Sequence, residues 1–224
     1  MNKIVKILVI TLLSTGLFLI SAAKIHSDDD AGTGRKDLPI KIAHLWNKHA
    51  VDTAVSILRS GYIVLRMGLG ADSHLLAQMN RKDKSYSHCG VVMVENGYPF
   101  VYHCVGGEDN PDERLRRDSA KFFFSPLNNA GIAIVNYNFA EDDVSRLRQV
   151  VDTYYRSKPK FDMHFDLKTD DELYCSEFVY KALNKAMNDT AFIRPTKVLG
   201  CTFVGIDDLF INGHAHILWQ VKFK

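Results

Sequence analysis

Asn96-Gly97 stands between two runs of β-formers, residues 88–94 (His-Cys-Gly-Val-Val-Met-Val) and 100–105 (Phe-Val-Tyr-His-Cys-Val). Asn-Gly accepts the left-handed backbone of a two-residue turn whose twist matches antiparallel strands, so the pair commits mid-chain to a β-hairpin. Further β-runs at 62–66, 131–137 and 217–223 extend a sheet. Apolar residues at helical spacing predict helices over 41–59, 73–80, 141–157 and 175–187. Strands gather in the middle with helices before and after, which gives an α+β class with a central antiparallel sheet packed against helices.

The first 23 residues read as an address rather than as structure. Lys3 and Lys6 precede an apolar run at 7–20, and Ser21-Ala22-Ala23 has the small residues a signal peptidase accepts. The run is shorter than the ~20 residues a bilayer span needs, so any membrane association is expected only through this segment if uncleaved. Residues 24–36 are polar and aperiodic, a flexible leader, and 37–224 form a single domain. The expected location is extracytoplasmic, either periplasmic or secreted. There Cys89, Cys104, Cys175 and Cys201 meet oxidising conditions, and three complete pairings are open to them.

Charge excludes one class of partner. The chain carries 28 Lys+Arg against 26 Asp+Glu, and loss of Lys3 and Lys6 balances the signs. With no excess cation to neutralise phosphates, nucleic acid is not an expected partner.

Two places carry chemistry. Cys175 opens a helix whose stripe of Cys175, Phe178, Val179, Ala182, Leu183 and Ala186 faces the body. A thiol at a helix N-terminus is stabilised as thiolate by the dipole and the unpaired amides, yet a cysteine continuing an apolar stripe also fits as a small core residue. In the hairpin, alternation puts His88 and His103 on one side and Cys89 and Cys104 on the other. A metal site from all four would need adjacent residues to converge, which regular strands forbid, so no metal or other cofactor is expected; a Cys89–Cys104 disulfide is permitted. Arg114, Arg116, Arg117 and Lys121 read as a solvated run, as do Asp166, Asp170, Asp171 and Glu172, which lack the ligand spacing of a calcium loop.

Taken in order, Gly61-Tyr-Ile-Val-Leu-Arg66, Ser85-Tyr-Ser-His88-Cys-Gly-Val-Val92, Pro99-Phe-Val-Tyr-His-Cys-Val-Gly106, Lys158-Pro159 and Tyr174-Cys175-Ser-Glu-Phe-Val-Tyr180 resemble the YiiX-like proteins. These belong to the circularly permuted branch of the NlpC-type, papain-like cysteine hydrolases. The resemblance spans about residues 60–187. It implies a permuted papain-like fold with Cys175 as nucleophile, His88 as base and His103 as the group orienting His88. Tyr174 and Ser176 are candidates for binding the oxyanion or substrate. Some members carry a glutamate where His103 stands, and unpermuted relatives use a tyrosine near the position of Phe161, which has no hydroxyl. The implied function is an extracytoplasmic amidase or peptidase acting on a peptide or peptidoglycan-type amide. The alternatives are a lipid acyl hydrolase or acyltransferase, and a binding module without turnover. Expected partners are accordingly a small peptide, a cell-wall fragment or a lipid.

Overall fold

A computed structural model of the chain describes residues 37–106 and 114–224; the expected signal segment and leader lie outside them. In order come α1 (Asp37–Ser56), β1 (Ile63–Gly68), α2 (Ala71–Ala77), β2 (His88–Glu95), β3 (Tyr98–His103), β4 (Arg116–Ser119), α3 (Ala120–Phe123) and β5 (Asn129–Asn136). There follow α4 (Glu141–Ser157), α5 (Cys175–Met187), β6 (Thr196–Val198), β7 (Cys201–Phe203), a 3-10 turn at Asp207–Leu209 and β8 (His216–Lys222).

The hairpin forms where Asn-Gly required it. Asn96 and Gly97 have φ of 50° and 82°, and Glu95 faces Tyr98 across the turn. From this nucleus the sheet grows to six strands in the order β4-β3-β2-β1-β5-β8, each neighbour antiparallel. The central strands are apolar almost throughout rather than alternating, because both faces are covered. On one face Ile63, Leu65, Cys89, Val91 and Met93 pack against Leu147 and Val151 of α4 and Phe178, Val179 and Leu183 of α5. On the other, Val64, Val92, Val101, Ile132 and Ile134 pack against Val51 and Ala54 of α1 and Phe123 of α3. Each large side chain buried here contributes about 1.5–3 kcal/mol of transfer free energy.

Helix ends follow local chemistry. α4 opens on Glu141, Asp142 and Asp143, carboxylates at the positive end of its dipole, and Asp143 accepts from the Ala140 N–H at 3.0 Å. It stops at Lys158, left-handed at φ 51°, before Pro159. α5 stops at Asn188, also left-handed. β4, α3 and the β6–β7 hairpin are additions to the elements that the sequence pattern predicts.

Candidate active site

β2 starts at His88, and its pleat sends His88, Gly90 and Val92 to the α3 face. The β2–β3 register sets Val91 opposite Tyr102, so Gly90 lies beside His103. A Cβ at Gly90 would come within 2.5 Å of Val101 Cγ1 and 3.0 Å of His103 Cβ. Only glycine lets the two imidazoles share this space. His88 Nε2 lies 2.8 Å from His103 Nδ1, and His103 Nε2 lies 3.0 Å from Asp118 Oδ2. The Arg116 Nη2 is 2.9 Å from that same oxygen. Phe123 roofs the row, with ring centroids 5.7 Å from His88 and 5.1 Å from His103 and the Arg66 guanidinium 4.9 Å from its own centroid.

The hydrogen bonds fix the protons. The Asp118 carboxylate can only accept, so His103 Nε2 carries hydrogen, its Nδ1 is a lone pair, and His88 Nε2–H must donate to it. Neutral His88 is therefore left with a lone pair on Nδ1. Burial, then the charge of Arg66, holds the His88 imidazole well below its ordinary range. Burial lowers His103 as well, against the pull of Asp118. Burial pushes Asp118 up, but its bonds and charge interactions with His103 and Arg116 prevail and hold the carboxyl below its usual value.

Cys175 is the first residue of α5. The Cys89 thiol donates to its sulfur, and the N–H groups of Ser176 and Cys89 add hydrogen bonds; together these overcome burial and lower the Cys175 pKa. Cys89 moves oppositely, pushed well above the usual thiol value by burial and by its bond to Cys175. Among the four cysteines none is bridged, so the permitted Cys89–Cys104 disulfide is not formed here.

His88 and His103 are thus brought together as expected, whereas the Cys175–His88 contact is not made. Cys89 faces α5 and His88 faces α3, and no hydrogen bond joins sulfur to imidazole. The sulfur lies with Cys89 on the α5 side of β2 and the imidazole on the α3 side. They are similarly accessible, Cys175 at 9% and His88 at 8%.

The hydroxyls proposed for the oxyanion are engaged elsewhere. Tyr174 Oη accepts from the Val204 N–H at 2.8 Å, and Ser176 Oγ donates to the Val204 carbonyl at 2.8 Å. Both hold the 204 segment against the start of α5. Phe161 packs on Gly106 and on Phe165. The basic run is not a solvated face: Arg116 pairs with Asp118, while Arg117 pairs with Glu95 at 2.5 Å and lies 3.3 Å over Phe100. Arg114 and Lys121, both exposed, do fit that description. In the acidic loop, Asp170 binds Lys181 and Lys185.

Asp118 and Cys89 were not foreseen as site residues. Asp118 sits in a charged tetrapeptide without strand pattern; the parity that puts Cys89 on the helix side was its only signal.

No family model matches the chain, and no curated protein matches it. Among solved structures the chain is similar to the crystal structure of the metalloprotein yiiX from Escherichia coli O157:H7. The TM-score is 0.57 at 18% identity, over 74% of this chain and 97% of that one. The likeness is one of fold: a YiiX-like arrangement of an antiparallel sheet and helices.

Proposed function

We propose that the chain is an extracytoplasmic thiol hydrolase of the permuted papain-like kind, an amidase or peptidase acting through a thioester on Cys175. The observation that carries this reading is the hydrogen-bonded row Asp118–His103–His88, which leaves His88 Nδ1 unprotonated in a fold that also sets Cys175 at the head of α5. A base with its lone pair held open, next to a thiol whose ionisation is favoured, is what nucleophilic acyl transfer needs. This reading requires a rearrangement that brings the Cys175 sulfur, on the α5 side of β2, to the His88 ring on the α3 side. The imidazole takes the thiol proton, sulfur attacks the carbonyl carbon, and Nδ1–H protonates the departing amine. The amides at the head of α5 face the developing oxyanion. Water, deprotonated by the same nitrogen, then releases the acid.

The structural neighbour is called a metalloprotein. In this chain, among the described residues, no three His, Cys, Asp or Glu side chains converge, and the paired histidines turn their facing nitrogens on each other. The donor set does not fit a metal, and no step is routed through one.

Iodoacetamide at pH 6 should alkylate Cys175 faster than an unperturbed thiol, and His88→Ala should slow that labelling. Equal rates in both proteins refute the activated pair. Incubation with peptidoglycan stem peptides or with phospholipid, followed by intact mass, then assigns the acyl donor: an adduct on Cys175 from phospholipid alone moves the substrate class to lipid.

A binding module is the second reading, favoured by the sulfur being hydrogen-bonded to Cys89 rather than to imidazole. It stands if Cys175→Ser binds a cell-wall fragment as tightly as wild type and wild type never gains or releases mass.

A further inference from the structure

A cavity of about 350 Å³, lined by none of the proposed catalytic residues, lies among the loop after α2, the segment before β6, the 3-10 turn and the approach to β8. That volume is ordinary for a small-ligand site. Lys82, Arg194 and His214 stand in its wall, with Phe192 and Ile211 as apolar surface and Asp208 as its one carboxylate. Lys82 and Arg194 are exposed side chains on fixed backbone. The N–H groups of Arg81 and Lys82 donate to Asp207 Oδ2 at 2.8 and 2.5 Å. Beside Arg194, Ile193 exchanges hydrogen bonds with the Asn184 amide of α5 at 2.8 and 3.1 Å, and Thr196 Oγ1 donates to Asp208 at 2.9 Å. The Phe192 ring lies against Tyr137 and Phe139, and the His214 imidazole stacks on it with centroids 4.3 Å apart and planes 21° from parallel.

The hydrogen-bonding groups of this wall set the charge of what it can hold. Its acceptors are engaged. Asp208, 7% exposed, also accepts from the Gly205 N–H at 3.0 Å, Asn212 Oδ1 accepts from the His214 N–H at 2.9 Å, and the Ile211 carbonyl faces Lys82 Nζ at 3.5 Å. Its donors are open. Among the described residues the Arg194 guanidinium and the His214 ring nitrogens have no ion pair or hydrogen bond, and Lys82 Nζ has only the long contact to Ile211. A wall with donors to spare and two cations is complementary to an oxygen-rich anion, and the planar fork of arginine takes a carboxylate or phosphate through two parallel N–H···O bonds. We infer that this cavity binds a small organic anion, its carboxylate or phosphate group held by Arg194 and Lys82 and its apolar body laid against Phe192 and Ile211. The inference is independent of the hydrolase reading, because binding is measured without turnover.

The full chain is titrated with phenyl phosphate and with benzoate, followed by calorimetry and by 15N–1H spectra, with benzyl alcohol as the uncharged comparison. The expected result is saturable binding of at least one anion, with amide shifts at Lys82, Phe192, Arg194 and His214. Phenyl phosphate alone assigns a phosphate ligand, benzoate alone a carboxylate, and both the shared chemistry. Inorganic phosphate and acetate should bind more weakly than their phenyl counterparts. Arg194→Gln and Lys82→Gln replace exposed side chains and leave the core untouched; each should weaken binding about 10- to 100-fold, as loss of a charge-assisted hydrogen bond does. Arg59→Gln, at an exposed arginine in the wall of a second cavity, should change nothing. The inference is overturned if neither anion binds, if benzyl alcohol binds as well as the anions, if the phenyl group adds no affinity, or if Arg59→Gln costs as much as Arg194→Gln, which would leave net charge as the whole attraction.

Discussion

Asp118 touches neither Cys175 nor the ring of His88, yet it decides which nitrogen of His88 carries the proton. His103 transmits the choice, because one ring nitrogen must donate to the carboxylate and the other is then left to accept. An asparagine of the same shape can donate from its amide to His103 Nε2, which reverses both tautomers and puts a hydrogen on His88 Nδ1. On the proposed hydrolase reading, Asp118→Asn should therefore lower turnover about 10- to 100-fold, as loss of an outer orienting partner does, with the fold intact. The 15N shifts of His88 provide the readout that a purely structural role would not move: Nδ1 is pyridine-like in wild type and becomes pyrrole-like in the variant. An unchanged tautomer would show that the carboxylate is not in control. Gly90 is the steric counterpart. A methyl there meets Val101 Cγ1 at 2.5 Å and the Tyr102 carbonyl oxygen at 2.8 Å, and overpacking of this kind costs about 1–3 kcal/mol. Gly90→Ala should lower the urea midpoint and separate the imidazoles. Of the relay, the histidine pair was legible from strand parity and a hairpin turn; the carboxylate was not, since nothing in the order of residues says that position 118 returns to position 103.

That difference is one of elements. α4 and α5 were legible to the residue because their apolar stripes repeat at helical spacing and their ends carry Pro159 and a left-handed Asn188. β4, Arg-Arg-Asp-Ser, has no alternation of apolar and polar residues, because Arg116 and Asp118 point inward to meet imidazoles instead of a core. An edge strand whose inward face is charged is invisible to hydropathy; its strand neighbour is β3, and Arg117 ties it to Glu95 of β2. The head of α5 was legible as a thiol site, but its carboxylate was not. Glu177 is wholly covered, at 0% exposure. It accepts from the Tyr174 N–H at 3.2 Å and pairs with Lys181 at 2.9 Å. Burial raises its pKa from 4.5 to about 7, against Lys181. The folded chain thus binds this proton more tightly than the unfolded chain, so the associated stability is present at low pH and is lost as pH rises between about 4.5 and 7. The loss is up to about 3 kcal/mol for a shift of this size. Glu177→Gln keeps an oxygen for the Tyr174 N–H and does not ionise. Urea titrations at pH 5 and pH 8 should differ less for the variant than for wild type by that amount; equal differences would remove Glu177 from the pH response.

Across the whole molecule the sheet separates two titrating layers of opposite sign. On the α5 face Glu177 makes the fold more stable toward acid. On the α3 face His88 and His103 are both held neutral below the ordinary imidazole value near 6.5 by burial. An unfolded chain takes up protons at those sites that the folded chain refuses, so their contribution is present above pH 6.5 and is lost as pH falls below it. Phe123 supplies much of that burial, being 1% exposed, tilted against His88, edge-on to His103 and under the Arg66 guanidinium. Phe123→Ala should act twice. Removing a buried aromatic ring costs about 3–5 kcal/mol at neutral pH. Water entering the space lets the imidazoles charge inside the fold, so their pKa values rise toward 6.5 and the further loss between pH 7 and pH 5 shrinks. The two effects are told apart by urea titration at both pH values, with Val64→Ala, which cuts the same layer away from the rings, as the comparison. A parallel drop at both pH values in Phe123→Ala and Val64→Ala would mean that the aromatic roof is packing alone and does not set the charge state of the relay.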